Sequence, residues 1–222
     1  MEWLLYAQNS RAQLPPLLWQ QWWLPTAWGV VAAWMGVYLA GRWTIQLRAK
    51  ITLGAMLAIW VWLPGVWGGS YWLGLAFQSP SVGTVFVCGL GLSRTLHRPG
   101  LSDYSCSAWN RSQVFISFCG VALGWALLLD TLGIWPGFIY DWGFGPIAPA
   151  IAIVIATLPW IAARRVVPSH DVILGVTAIG FFLFLRLPTG NLFDALIDPW
   201  LWCYLQFALI RQMRLSVKKT QM

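Results

Sequence analysis

The sequence predicts an all-α, polytopic helical membrane protein with about seven transmembrane helices, N-terminus outside and C-terminus inside. Three observations carry this expectation. Of 222 residues, 59% are hydrophobic and only 9% charged, whereas a soluble domain carries about 25% charged residues to cover its surface. The apolar residues fall in blocks near the length needed to cross a bilayer, about 20 residues for a core of about 30 Å. Basic residues recur at alternate gaps between those blocks, which is the charge pattern of cytoplasmic loops.

The blocks run over 25–41, 51–68, 71–93, 114–134, 142–163, 170–187 and 192–211. Ahead of them, residues 1–24 read as an extracytoplasmic N-terminal segment. Its stretch 14–24, LPPLLWQQWWL, begins with Pro15 and Pro16 and is too short to cross, so it is expected to lie in the interface before Pro25 opens the first span. Residues 25–211 form a single transmembrane domain and 212–222 a basic cytoplasmic tail. Glu2, Asn9, Arg11 and Gln13 interrupt the start of the chain where a cleavable signal peptide would place a basic and then an apolar region. No repeat or linker divides the chain.

With the N-terminus outside, the inner face receives Arg42, Arg48, Lys50, Arg94, Arg98, Arg111, Arg164, Arg165, Arg211, Arg214, Lys218 and Lys219. These are twelve of the fourteen Lys and Arg residues, leaving only Arg11 and Arg186 outside. That asymmetry accounts for the net charge of +7 without nucleic acid, which is not an expected partner. Short loops and the absence of a signal peptide point to a bacterial cytoplasmic (inner) membrane. The bilayer itself and other membrane-protein subunits are the expected partners.

Tryptophan is heavily used, with 18 residues. Trp19, Trp22, Trp23, Trp28, Trp67, Trp72, Trp135, Trp142, Trp200 and Trp202 fall near the outer boundary, where indole rings form a lipid-facing belt or line an aromatic groove. Four cysteines show no CxxC pairing: Cys88, Cys119 and Cys203 sit in apolar blocks and Cys106 in a basic loop, so they read as free thiols.

Two features carry candidate chemistry. Asp130, Asp141, Asp194 and Asp198 gather with Arg186 at the outer boundary, and ionisable groups near hydrocarbon require partners or a wet cavity. Arg186 is expected to pair with Asp194 or Asp198 across the turn 187–191. The competing reading is structural: Asp198 before Pro199 suits a helix N-cap, and Asp141 before Trp142 suits another. The second feature is the interruption of the third block by Gln78, Ser79, Pro80 and Ser81, with Thr84 nearby. It reads either as a proline kink or as a broken helix of the kind that builds transporter sites. Gly120 and Gly124 form a small-xxx-small pair suited to close helix packing.

His97 and His170 are far apart and lack nearby metal-ligating companions, so neither a metal nor a cofactor is expected; Ser169 is expected to cap the sixth span, with His170 and Asp171 in its first turn. Asn110-Arg111-Ser112 matches a glycosylation sequon on the wrong side of the membrane. No phosphate loop, GxSxG elbow or HExxH motif is present. The expectation is therefore a non-catalytic accessory subunit or assembly factor of a larger membrane complex. The alternatives are a small-solute transporter with a broken third helix and a membrane enzyme acting on a lipid-linked substrate at the outer face, with Asp130 or Asp141 as base.

Overall fold

The computed structural model describes residues 14–43, 46–97, 111–134, 139–162, 164 and 170–220. These residues form helices joined by short non-helical segments, with no strand among them. The helices are α1 (Leu17–Trp43), α2 (Leu47–Trp62), α3 (Gly69–Phe77), α4 (Val82–His97), α5 (Arg111–Thr131), α6 (Ile139–Trp142), α7 (Ile147–Ala162), α8 (His170–Leu185), α9 (Leu192–Leu196) and α10 (Pro199–Thr220).

Among the described residues, two stretches are long and apolar enough to cross a membrane, Leu17–Gly41 and Ser112–Thr131. Ile147–Ala162 and Val172–Leu185 are apolar but shorter. The third expected span is divided into α3 and α4, which is why its two halves are each short.

The first expected boundary moves. Residues 17–24 are not a separate interfacial segment but the opening turns of α1, which runs on through Pro25. Pro25 removes one backbone donor while its fixed φ stays compatible with the helix. The Thr26 hydroxyl donates to the Trp22 carbonyl at 2.6 Å, and Pro16 supplies the carbonyl that receives the amides of Trp19 and Gln20. At the other end, α10 continues past residue 211 into the expected tail.

Helix α1 forms its broadest interface with α2, and small residues make it close. A Cβ on Gly36 would lie 3.2 Å from the Gly54 Cα, and one on Gly54 would lie 3.0 Å from the Ala33 carbonyl oxygen. Helix α4 is central, touching α1, α8, α9 and α10. The main core gathers Ala27 of α1, Val82 of α4, Ile179 and Phe182 of α8, Leu187, and Leu192 and Ala195 of α9. A second core joins Trp28 and Val31 to Val61 and Cys88. On the far side, α5 packs on α10 through Gly120 and Gly124, which face Leu205 and Trp202.

Candidate functional site

The interruption of the third block is a true break. Helix α3 ends at Phe77, and Gln78 takes φ 61°, ψ −149°, a conformation adopted almost only by glycine. Pro80 has no N–H to offer, and Val82 opens α4. Ser81 caps the new helix: its Oγ accepts from the Thr84 amide at 3.0 Å and donates to Thr84 Oγ1 at 3.0 Å. The Ser79 hydroxyl reaches the Pro80 carbonyl only at 3.5 Å.

The freed backbone groups find partners on other helices. Trp28 Nε1 donates to the Gln78 carbonyl at 2.8 Å, and Trp23 Nε1 to the Pro80 carbonyl at 3.3 Å. Both indoles are buried, at 7% and 8% exposure, so these two leave the lipid-facing belt expected of them. Asp198 completes the arrangement. Its Oδ2 accepts from the Ser81 amide at 2.9 Å and from Thr84 Oγ1 at 2.7 Å, while Oδ1 accepts from the Leu201 amide at 2.8 Å. One carboxylate thus caps α10, as its position before Pro199 implied, and also holds the start of α4. The approach depends on Gly83, where a Cβ would collide with the Leu196 carbonyl oxygen at 2.2 Å.

A second polar node centres on Tyr140. Its amide donates to Asp130 Oδ2 at 2.8 Å and its hydroxyl to Asp194 Oδ2 at 2.8 Å. The Thr189 hydroxyl also donates to Asp194 Oδ2, at 2.5 Å. Fully buried Asn191 donates from Nδ2 to the Tyr140 carbonyl at 2.9 Å, and its Oδ1 accepts from the Phe193 amide at 2.8 Å. Gly143 leaves room for that amide, because a Cβ there would overlap it. Burial, with the Asp194 hydrogen bond and the nearby charges of Asp194 and Asp141, holds the Tyr140 phenol well above the usual tyrosine range.

The expected outer cluster is therefore two nodes. Asp130 and Asp194 meet on Tyr140, and Asp198 joins Ser81 at the helix break. Asp141 stands exposed within α6 and does not open the next long helix, α7, which begins at Ile147. The pairing expected of Arg186 is not among these contacts. Arg186 takes φ 55° at the end of α8, its carbonyl accepts the Gly190 amide at 2.8 Å, and its guanidinium lies 5.2 Å from the centre of the Phe182 ring. Asp194 and Asp198 are instead satisfied by hydroxyls and backbone amides, which need no counter-charge.

Sequence reasoning did not single out Tyr140, Asn191 or Gly83. The available signal for Asn191 was an N-cap residue directly before an apolar run; Tyr140 and Gly83 carry no local signal. Among the described residues, no three of His, Cys, Asp and Glu converge to hold a metal ion. Cys88, Cys119 and Cys203 are free. Ser169, Cys106 and Asn110 of the sequon lie outside the described residues, as do the side chains of Arg111, His170 and Asp171. Comparison with protein-family models, with curated proteins and with solved structures finds no match.

Proposed function

We propose that this chain is a multi-pass membrane protein of about seven spans, N-out and C-in, acting as a non-catalytic accessory subunit or assembly factor of a larger membrane complex. One observation carries the non-catalytic reading. Asp130, Asp194 and Asp198 accept from the chain's own amides and hydroxyls, and the Gln78 and Pro80 carbonyls of the break accept from the indoles of Trp28 and Trp23. Polar groups at membrane depth must be satisfied internally, and these interactions serve that demand, with no paired nucleophile and base among the described residues.

The membrane reading is supported by the Ser112–Thr131 stretch, which is apolar yet only 6% buried. The core helix of a soluble protein would be mostly covered. Large apolar side chains also face outward elsewhere, as at Phe184 (90% exposed) and Trp67 (79%), beyond what water tolerates as a contiguous surface. Helices α2, α7 and α8, 16 residues each, rise about 24 Å. They span with help from flanking residues or local thinning.

The transporter alternative is favoured by the backbone at Gln78, since a non-glycine residue in that conformation marks stored strain. It would require the indoles of Trp23 and Trp28 to release the break.

Photo-crosslinking residues at exposed Trp22, Trp62 and Trp67, on the intact chain in native membranes, test the subunit reading. A discrete adduct with one common partner is expected, together with a native-gel mass above that of the single chain. A chain that migrates alone and crosslinks only to lipid at all three positions overturns the reading.

A further inference from the structure

Helices α5 and α10 run antiparallel. Gly124 lies against Trp202 and Gly120 against Leu205, and Trp202 Nε1 donates to the Val121 carbonyl at 3.2 Å. Toward the start of α5 and the end of α10 the glycines give way to bulk. There the helices border an open groove of ≈ 690 Å³ whose walls include Phe115 and Phe118 of α5 and Leu209, Ile210 and Met213 of α10. Phe118 and Met213 stand 64% and 59% exposed. The one polar lining residue, Gln206, lies on the glycine side of the α10 wall.

Charge is confined to the other end. Exposed Arg214 directly follows Met213, and Lys218 and Lys219 continue the same helix. Arg111 opens α5 three residues before Val114, another wall residue. An apolar trough with cationic groups at one end complements a molecule with an apolar body and a single anionic head.

We propose that this groove binds an anionic phospholipid of the inner leaflet, an acyl chain lying along Phe118, Leu209 and Ile210 and the phosphate at Arg214. The proposal rests on the membrane reading above and on its orientation. Basic groups near the cytoplasmic surface favour anionic lipid by roughly fivefold each, so exposed Arg214 predicts a preference of about fivefold over a zwitterionic lipid.

The test uses the full chain, extracted from membranes after a carbonate wash, delipidated in mild detergent and exposed to phosphatidylglycerol or phosphatidylcholine. Retained lipid is counted by native mass spectrometry. Extraction by carbonate alone would refute the membrane reading itself before any lipid is measured. With the chain in detergent, one retained phosphatidylglycerol per chain is expected, at about fivefold preference. Arg214→Gln should cut that preference by about fivefold, and Ile210→Trp, which fills the groove, should abolish retention without changing the charge. Arg48→Gln, on exposed α2, should leave the preference intact. Equal retention of the two lipids, or a preference unchanged in Arg214→Gln, overturns the proposal, as does a preference lost equally in Arg48→Gln. Protection of groove positions by a protein crosslink in place of lipid overturns it as well.

Discussion

Asp198→Ala is the most informative single change, because one carboxylate serves two helix starts. Truncation strands the amides of Ser81 and Leu201 and the hydroxyl of Thr84, which now donate over 2.9, 2.8 and 2.7 Å. A lost N-cap costs about 1 kcal/mol, and each buried donor left without an acceptor costs about 1–3 kcal/mol. The effects overlap, since partial relaxation at one donor relieves the others, so a total loss of about 3–4 kcal/mol is expected. Asp198→Asn keeps one acceptor oxygen and should lose about half as much. Thr84→Val supplies the coupling test: it removes a hydroxyl that is bonded in the parent but stranded in Asp198→Ala. Its cost of about 1 kcal/mol should vanish in that background. Denaturant unfolding in detergent micelles, followed by tryptophan fluorescence, measures all five proteins: the parent, the three single variants and the double variant. A loss below about 1 kcal/mol for Asp198→Ala, or additivity with Thr84→Val, would refute the shared-cap account.

Two further outcomes follow from the same contacts. Gly124→Leu should destabilise by about 1–3 kcal/mol in the same assay and weaken the α5–α10 contact, because even a Cβ would meet Trp202 at 2.2 Å; unchanged stability would place that face away from α10. Tyr140→Phe removes the hydroxyl that Asp194 accepts, at a cost of about 1–2 kcal/mol near neutral pH. The phenol's folded pKa is raised above the ordinary tyrosine value of 10.0, so its contribution is complete below that pH and lost as pH climbs from there toward the folded value. The stability gap between Tyr140→Phe and the parent should therefore be constant from pH 7 to 9 and shrink at higher pH; a gap that widens at high pH contradicts the assignment.

Local signals were the legible part of this chain. The long apolar blocks gave helices, Pro80 among hydroxyls gave the interruption, Asp198 before Pro199 gave a cap, and Gly120 with Gly124 gave a helix contact. What was not legible depends on approach between distant segments. Asp198 finds Ser81 across 117 positions because Gly83 lets the Leu196 carbonyl close in, and nothing near Asp198 in sequence announces this. Nearness in sequence misled in the case of Arg186. The left-handed residue there turns the chain back on itself, and the guanidinium settles on Phe182 of its own helix. Trp23 and Trp28 misled by number: in a chain with many indoles, the two that are buried carry the same local pattern as those that face outward.

The break itself requires a reason, since a continuous helix through 78–81 would avoid both the Gln78 conformation and the freed carbonyls. An uninterrupted helix would also bury its own amides, leaving Ser81 N–H unavailable to any partner. Interrupting the helix creates a second N-terminus inside the protein, and a carboxylate is favoured there by the exposed amides and the helix dipole. Asp198 occupies that position while capping α10, and Trp23 and Trp28 of α1 take the two carbonyls left over. Two helices far apart in sequence, α1 and α10, are thereby fixed by directional bonds to one four-residue segment at the head of α4, where apolar contacts alone would let them slide. On the membrane reading proposed above, the surroundings are as apolar as the side chains themselves, and such bonds would specify register. A strained turn whose Gln78 and Pro80 carbonyls and Ser81 amide are engaged by other helices is thus the fastening point of α1, α4 and α10, and loosening any one partner should be felt by the other two.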